Sequence, residues 1–252
     1  MKRVSKRVGK THLIIPDTQV KPGVNTDHLE WIGNYIAEKR PDVIVQLGDF
    51  ADMPSLSSYD EGKAEMEGRL VIQDIEVVRD AMKRLLVPVK HVKGYHPRMV
   101  LTLGNHEDRI TRYVEDHPKL RGSLHVHNLG YQKVGWEVYP FLEIVEIDGI
   151  EYSHYFVSGA MGRPVSSARA LLTARHNSAV MGHKQETDIA FHPKSGHFGI
   201  IAGCCYLHEE KYLGPQMQGK AQRRQIIMLH EVHEGIADPM FVSLKFLKAN
   251  YS

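Results

Sequence analysis

Five short stretches of this chain share one arrangement: an apolar run that stops abruptly at residues able to grip a metal ion or carry a proton. They are Ile15-Pro16-Asp17-Thr18-Gln19, Leu47-Gly48-Asp49-Phe50-Ala51-Asp52, Leu103-Gly104-Asn105-His106-Glu107, Tyr152-Ser153-His154 and Met181-Gly182-His183-Lys184-Gln185. Carboxylates, amide oxygens and imidazoles are ordinary ligands of divalent cations. Taken singly, each residue has a plainer explanation. Asp and Asn are common in the turns that end strands, which would account for Asp17, Asp49 and Asn105. Asp52 could cap the turn after Asp49, and an isolated strand histidine such as His154 is usually structural. The ordered set, each member following a strand, outweighs these readings. In three of the stretches a glycine precedes the polar residue, permitting a sharp turn and close backbone approach.

The elements that must position these residues are legible in outline. Residues 12–15 and 43–47 read as short buried strands, with a helix between them over residues 27–40 that Pro41 ends. Residues 61–86 have helical periodicity and Pro88 follows; residues 99–103 form the next strand, leading into a short helix. After about residue 134 the pattern changes. Residues 136–139, 142–147 and 150–156 alternate as antiparallel strands do, and Asp148-Gly149 is a hairpin turn signal. A helix over 165–175, strands near 179–181 and 198–204, and one more strand with a closing segment in 225–252 complete the reading. A βαβα first half and a hairpin-rich second half fit one domain of two packed mixed sheets with helices outside. Residues 1–10, with Lys2, Arg3, Lys6, Arg7 and Lys10, read as a mobile basic arm, leaving 11–252 as a single domain. Loops beyond strand carboxyl ends are where such folds build sites.

Bulk properties set limits. The 252 residues, 42% hydrophobic and 25% charged, are those of a globular chain, and a net charge of +2 names no partner. The cysteines, Cys204 and Cys205, are adjacent, so no disulfide framework is available and both read as small core hydrophobes. No apolar run approaches the ~20 residues needed to span a bilayer, and no apolar signal segment follows the basic start. A cytoplasmic location without membrane partners is the expectation. Sixteen histidines are present, most of them expected at the surface.

The order of the five stretches resembles that of the calcineurin-like metallophosphoesterases, over residues 17 to 185, about two-thirds of the chain. The resemblance implies a four-layer α/β/β/α sandwich and a site for two divalent metal ions. It implies that Asp49 bridges the metals, that Asp17 binds the first, and that Asn105, His154 and His183 bind the second. It makes His106 the catalytic histidine and Asp52 its hydrogen-bonding partner. Physically, two cations about 3.5–4 Å apart need a shared carboxylate, and a histidinium can protonate a departing alkoxide.

The chain departs from the family pattern where histidines of the first metal are usual: Gln19 and Gln185 stand there instead. Amide oxygens would make an all-oxygen first site of Asp17, Gln19, Asp49 and Gln185. Such a site favours Mn²⁺, or Mg²⁺, over Zn²⁺ or Fe. The rival readings are a first site that is weak or filled only with substrate, and another ligand such as His192 or His197. Arg109 either contacts a substrate phosphate or pairs with a carboxylate, and Glu107 reads as structural. Met53-Pro54 after Asp52 differs from the Arg-Gly of protein Ser/Thr phosphatases. The run from Gly104 to Arg109 is similar to phage and bacterial phosphoesterases grouped with DNA-repair-type nucleases. The expectation is a hydrolase acting on a phosphodiester, in DNA or RNA as a nuclease. The alternatives are a phosphomonoesterase acting on a nucleotide or phosphoprotein, and an inactive scaffold of the same fold. The basic arm, Lys90-His91-Val92-Lys93 and Arg223-Arg224 are candidate phosphate contacts.

Overall fold

The computed structural model describes residues 9–210 and 223–252, so residues 1–8 of the arm expected at 1–10 lie outside the described residues. Lys10 opens the first strand and pairs with Asp148 at 2.8 Å. The first half runs β1 (Lys10–Ile15), α1 (Asp27–Lys39), β2 (Val43–Gln46), α2 (Val71–Lys90), β3 (Arg98–Thr102), α3 (Asp108–Asp116) and β4 (Glu137–Tyr139). The second runs β5 (Val145–Ile147), β6 (Ile150–Ser153), the small pair β7 (Val157–Ser158) and β8 (Arg163–Pro164), α4 (Ala168–Arg175), β9 (Ser178–Met181), β10 (Thr187–Phe191) and β11 (Phe198–Ala202). The chain closes with β12 (Gln225–His233), β13 (Ile236–Ser243) and α5 (Leu244–Tyr251).

Two mixed sheets result, in the orders β13-β12-β1-β2-β3-β4 and β10-β11-β9-β6-β5. Strands β1 to β4 are parallel to one another, and so are β6, β9 and β11. The fully buried ones, β2, β9 and β11, are near-continuous apolar runs because both faces are covered. The inner faces meet in one apolar layer, with Ile14, Val45 and Val100 from the first sheet and Ile150, Val180 and Ile200 from the second. On the outer face of the first sheet, Leu13, Ile44 and Leu101 pack under α1, α2 and α5. On that of the second, Ala179, Met181 and Ile201 pack under α4. The four layers are therefore α/β/β/α. His12 stitches the sheets together, its imidazole fully buried between the Tyr152 hydroxyl (2.7 Å) and the Asp148 carboxylate (3.0 Å). The β13 edge carries Pro239, a residue that a central strand would not accept.

Several boundaries differ from the sequence reading. The helix expected at 61–86 begins at Val71; Gly62 and Gly68, both at φ 75°, break the segment before it into turns and a short 3-10 helix (Ala64–Met66). Pro88 lies inside α2, in its last turn, where Gly33 of α1 comes so close that an added Cβ would sit 3.0 Å from the proline ring. The helix expected from 165 begins at Ala168, capped by the Ser167 side chain. Strand β4 is parallel to β3 rather than part of an antiparallel run, because the connection through α3 carries the chain across the sheet. Strand β10, with an exposed-to-buried pattern too irregular to read, was not expected, and the tail forms a hairpin rather than one strand. The Asp148-Gly149 turn does join β5 to β6, with both residues at positive φ.

A buried histidine outside the site gives a pH test of the fold. His28, on α1, is 1% exposed, and burial lowers its pKa to about 3. A depressed folded pKa keeps the ring neutral, so its contribution is present above the unfolded value near 6.5. That contribution is lost as pH falls toward 3, at about 1.4 kcal/mol per unit. His12 is lowered in the same direction by burial, against the opposing pull of Asp148. Urea midpoints should fall between pH 7 and pH 5, and His28→Phe should flatten that fall. An unchanged slope in the variant would refute the assignment.

Candidate metal centre

All five stretches emerge at the carboxyl ends of parallel strands, and the structure brings them to one place. Asp17 follows β1, Asp49 follows β2, Asn105 and His106 follow β3, His154 follows β6, and His183 follows β9. Strand-like pairing continues past the strands: Asp17 bridges Cys204, and Val20 bridges Ala51. Asp49, His154 and His183 offer ligand atoms that all lie within 4.8 Å of one another. The Asn105 side-chain oxygen is 2.9 Å from His154 Nε2 and 2.9 Å from His183 Nδ1. His154 is fully buried, with Nδ1 2.7 Å from the Leu47 carbonyl, which leaves Nε2 pointing at the Asp49 carboxylate 3.3 Å away. This is the ordinary way to orient a ligating imidazole.

The glycines act as spacers. A Cβ on Gly104 would lie 2.0 Å from Asp49 Oδ1, and one on Gly182 would lie 2.4 Å from Asp17 Oδ1. Four of the candidate ligands, Gln19, Asp49, His183 and Gln185, are non-glycine residues at positive φ, between 47° and 67°. Such strain concentrates where function, not stability, fixes the backbone.

Asp17 is fully buried; Oδ1 accepts the His183 N–H at 2.8 Å, while Oδ2 has no hydrogen-bond partner among the described residues. Burial, with the nearby Asp49 charge and against the pull of His154, raises its pKa to about 7. Burial works against ionisation of Asp49 too, but His106 and His154 prevail and hold that carboxyl below its usual range. Burial lowers and Asp49 raises the His154 pKa, the net result being about 9. For His183, burial and the neighbouring His154 lower it to about 4.

His106 Nδ1 lies 2.7 Å from Asp52 Oδ1, and His106 Nε2 lies 3.7 Å from Asp49 Oδ2. Asp52 is held besides by Lys21, at 2.8 Å from Oδ2, and by Arg109, at 3.1 Å from Oδ1. Of the two readings for Arg109, the structure shows the carboxylate pairing. Burial opposes protonation of His106, and the Asp49 and Asp52 carboxylates reverse the balance, so its pKa lies above the ordinary value.

Glu107 is fully buried and accepts the backbone N–H groups of Asp49 (2.9 Å), Ala51 (2.8 Å) and Gly104 (2.9 Å), with the Tyr131 hydroxyl at 3.2 Å. One side chain thus ties the second stretch to the third. Each N–H orphaned by its removal costs about 1–3 kcal/mol. Glu107→Ala should therefore lose at least ~3 kcal/mol in urea unfolding. Tyr131→Phe, which removes the hydroxyl alone, should lose ~1 kcal/mol. An alanine variant within ~1 kcal/mol of the parent would contradict this role.

A family model described as calcineurin-like phosphoesterase matches residues 11–217. The chain belongs to that family. Two "Gene 54 protein" relatives, from Mycobacterium phage L5 and Mycobacterium phage D29, are each 31% identical over 111 residues, covering 44% of this chain and 40% of theirs. The match therefore spans less than half the length of these relatives. A crystal structure superposes on 93% of this chain and 99% of its own, at 10% identity and a TM-score of 0.44.

Members of the calcineurin-like family imply divalent metal ions, and this cluster fits them. It offers a buried carboxylate oxygen without a partner on Asp17, glycines that leave space beside Asp17 and Asp49, and imidazoles turned toward a shared carboxylate. Gln19 and Gln185, where this member lacks histidines, are both buried beside the cluster. The Gln19 N–H donates to the Asp49 carbonyl at 2.8 Å, and the Gln185 amide oxygen accepts from the Tyr206 hydroxyl at 2.7 Å.

His192 and His197 are not brought in. They face each other across the turn between β10 and β11, about 16 Å along the strand from Thr187, at the end of the hairpin away from Gln185. There they line a separate surface cavity of about 500 Å³ with Arg169 and His176. Arg224 is turned inward, donating to the Leu207 and His208 carbonyls. Among the described residues, no helix is long and apolar enough to cross a membrane.

Sequence reasoning missed Lys21 and Glu210, which pair at 2.7 Å beside Asp52, and the aromatic residues Phe141 and Tyr155 near the imidazoles. A lysine or tyrosine has no spacing that announces such a role; its place depends on which loops meet.

Proposed function

We propose that the protein is a metal-dependent phosphoesterase that cleaves a phosphodiester, in DNA or RNA or a smaller nucleotide, with manganese as its working ion. Asp17, Gln19, Asp49 and Gln185 would hold a first cation, and Asp49, Asn105, His154 and His183 a second. When bound, such ions draw charge from the phosphoryl oxygens and make water a nucleophile at neutral pH. His106 gives a proton from Nε2 to the departing oxygen, while Asp52 keeps the proton on Nδ1 and the ring in register. Lys21 and Arg109 keep Asp52 ionised and stationary.

The observation that carries this reading is the position of the His106–Asp52 pair, whose free nitrogen is 3.7 Å from the carboxylate that also faces His154. Proton donor and candidate metal ligands thus share one small volume. The second site keeps two imidazoles, whereas the first offers only oxygens; that difference is the ground for Mn²⁺, or Mg²⁺, over Zn²⁺ or Fe.

The test is hydrolysis by metal-stripped protein reloaded with each ion, on bis-p-nitrophenyl phosphate, p-nitrophenyl phosphate and single-stranded DNA. The expected result is highest activity with Mn²⁺, and diester or DNA cleaved faster than the monoester. Zn²⁺ giving the highest rate removes the all-oxygen first site. A strong monoester preference with intact DNA makes the protein a phosphomonoesterase, and inactivity with every ion makes it a scaffold.

A further inference from the structure

Two aromatic rings stand where the metal cluster meets the surface, and the metal cluster itself does not need them. Phe141, from the loop between β4 and β5, and Tyr155, just after β6, are both half-buried. Their rings meet edge to face at 5.5 Å. Tyr155 lies 4.7 Å from the His183 ring, and Phe141 lies 6.2 Å from that of His154. Neither ring is a metal ligand. Phe141 belongs to none of the three apolar layers, so core packing does not account for it, and Tyr155 touches only the edge of the layer under α4.

Next along the chain come exposed apolar residues, Leu142 (37% accessible) and Ile144 (40%) after Phe141, with the exposed Glu143 between them, and Val157 (47%) after Tyr155. A wholly ionic substrate would gain nothing from such a wall beside a site of carboxylates and imidazoles. Arg112 donates to the carbonyl of the candidate ligand Asn105 at 2.9 Å, and its charge, with that of Asp108, acts on the Tyr155 hydroxyl. The Arg112 side chain is 52% exposed and pairs with Asp108 at 3.2 Å. An aromatic wall next to a partly exposed arginine, both adjoining a phosphoester site, matches one repeating chemical unit: a nucleobase with a flanking phosphate.

We propose that Phe141 and Tyr155 form a stacking wall that selects a nucleotidyl group, with the base against the rings and a neighbouring phosphate near Arg112. This rests on the phosphoesterase reading and adds the residues that would recognise the base. Base–aromatic stacking is sequence-tolerant, because every base has a π-face. The wall would therefore sort nucleotides from sugar phosphates without preferring one base strongly.

The test is calorimetric binding to the full chain loaded with Mn²⁺, comparing thymidine 5′-monophosphate, deoxyribose 5-phosphate and an eight-residue oligothymidylate, with bound manganese counted separately. Wild type should bind the nucleotide about 5- to 100-fold more tightly than the sugar phosphate. Tyr155→Ala should erase that ratio with manganese content unchanged, and Tyr155→Phe should keep it. Tighter binding of the oligonucleotide than of the mononucleotide assigns the wall to a strand, and the reverse order to a free nucleotide; both support it. Equal affinity for nucleotide and sugar phosphate overturns it. So does an alanine variant that keeps the ratio, or one that loses manganese and both ligands together, since the ring would then only shield the imidazoles. Selective binding without hydrolysis would refute the activity and leave the wall standing; hydrolysis without selectivity would do the opposite.

Discussion

Replacing His106 by alanine should lower kcat for phosphoester hydrolysis by about 10²–10⁴-fold, the range for losing a positioned proton donor, with manganese content and melting temperature close to the parent's. The structure explains why so large a loss can occur without unfolding. The contact between residue 106 and Asp49 on the structural side is a backbone N–H at 2.9 Å, and alanine retains it. Asp52 would lose its partner at 2.7 Å but keep Lys21 at 2.8 Å and Arg109 at 3.1 Å, so no buried charge is left alone. What disappears is the nitrogen facing the cluster. The measurement pairs steady-state rates with metal analysis on the same sample. Activity retained within a few-fold would remove His106 from the reaction, and activity lost together with the metal would make it a structural residue.

Replacing Asp49 by alanine should have an effect at least as large, through a different cause. Its carboxylate is the group toward which His154 turns at 3.3 Å and to which the His106 N–H donates, and it is 1% exposed. If it bridges two cations, its removal takes a ligand and a negative charge from both. Manganese bound per chain should then fall from two to fewer than one. The rate should fall by at least about 10³-fold, the upper end for losing one group that stabilises charge. His183→Ala makes the contrast, since it should lose one ion and leave the other. Two ions retained in Asp49→Ala would show that the carboxylate is not shared, and the division of ligands would have to be redrawn.

These expectations depend on residues of unequal visibility. The strands that carry the site were readable because parallel strands covered on both faces are short apolar runs, as in Val43–Gln46 and Ser178–Met181, and each stops at a polar residue. For the helix before β3, the sequence reading puts the start too early, at 61 instead of Val71. Gly62 and Gly68 interrupt a stretch whose apolar residues keep a helical spacing, and periodicity alone does not register a backbone break. Glu107 was recognised as structural, but the four groups it holds come from three places in the chain and could not be named in advance.

The sequence by itself determined the set of polar residues at strand ends and, through the resemblance they carry, the family and its layered α/β/β/α class, because ligand chemistry and strand periodicity are local properties of residue type and spacing. Only the tertiary structure decided which of those residues meet. It placed Arg109 against Asp52, sent His192 and His197 to the far end of their hairpin, and set Tyr155 against His183. The reason is physical: distances between side chains on different strands depend on sheet order and on the path of each connection. A chain of 252 residues does not write either of these into any one segment.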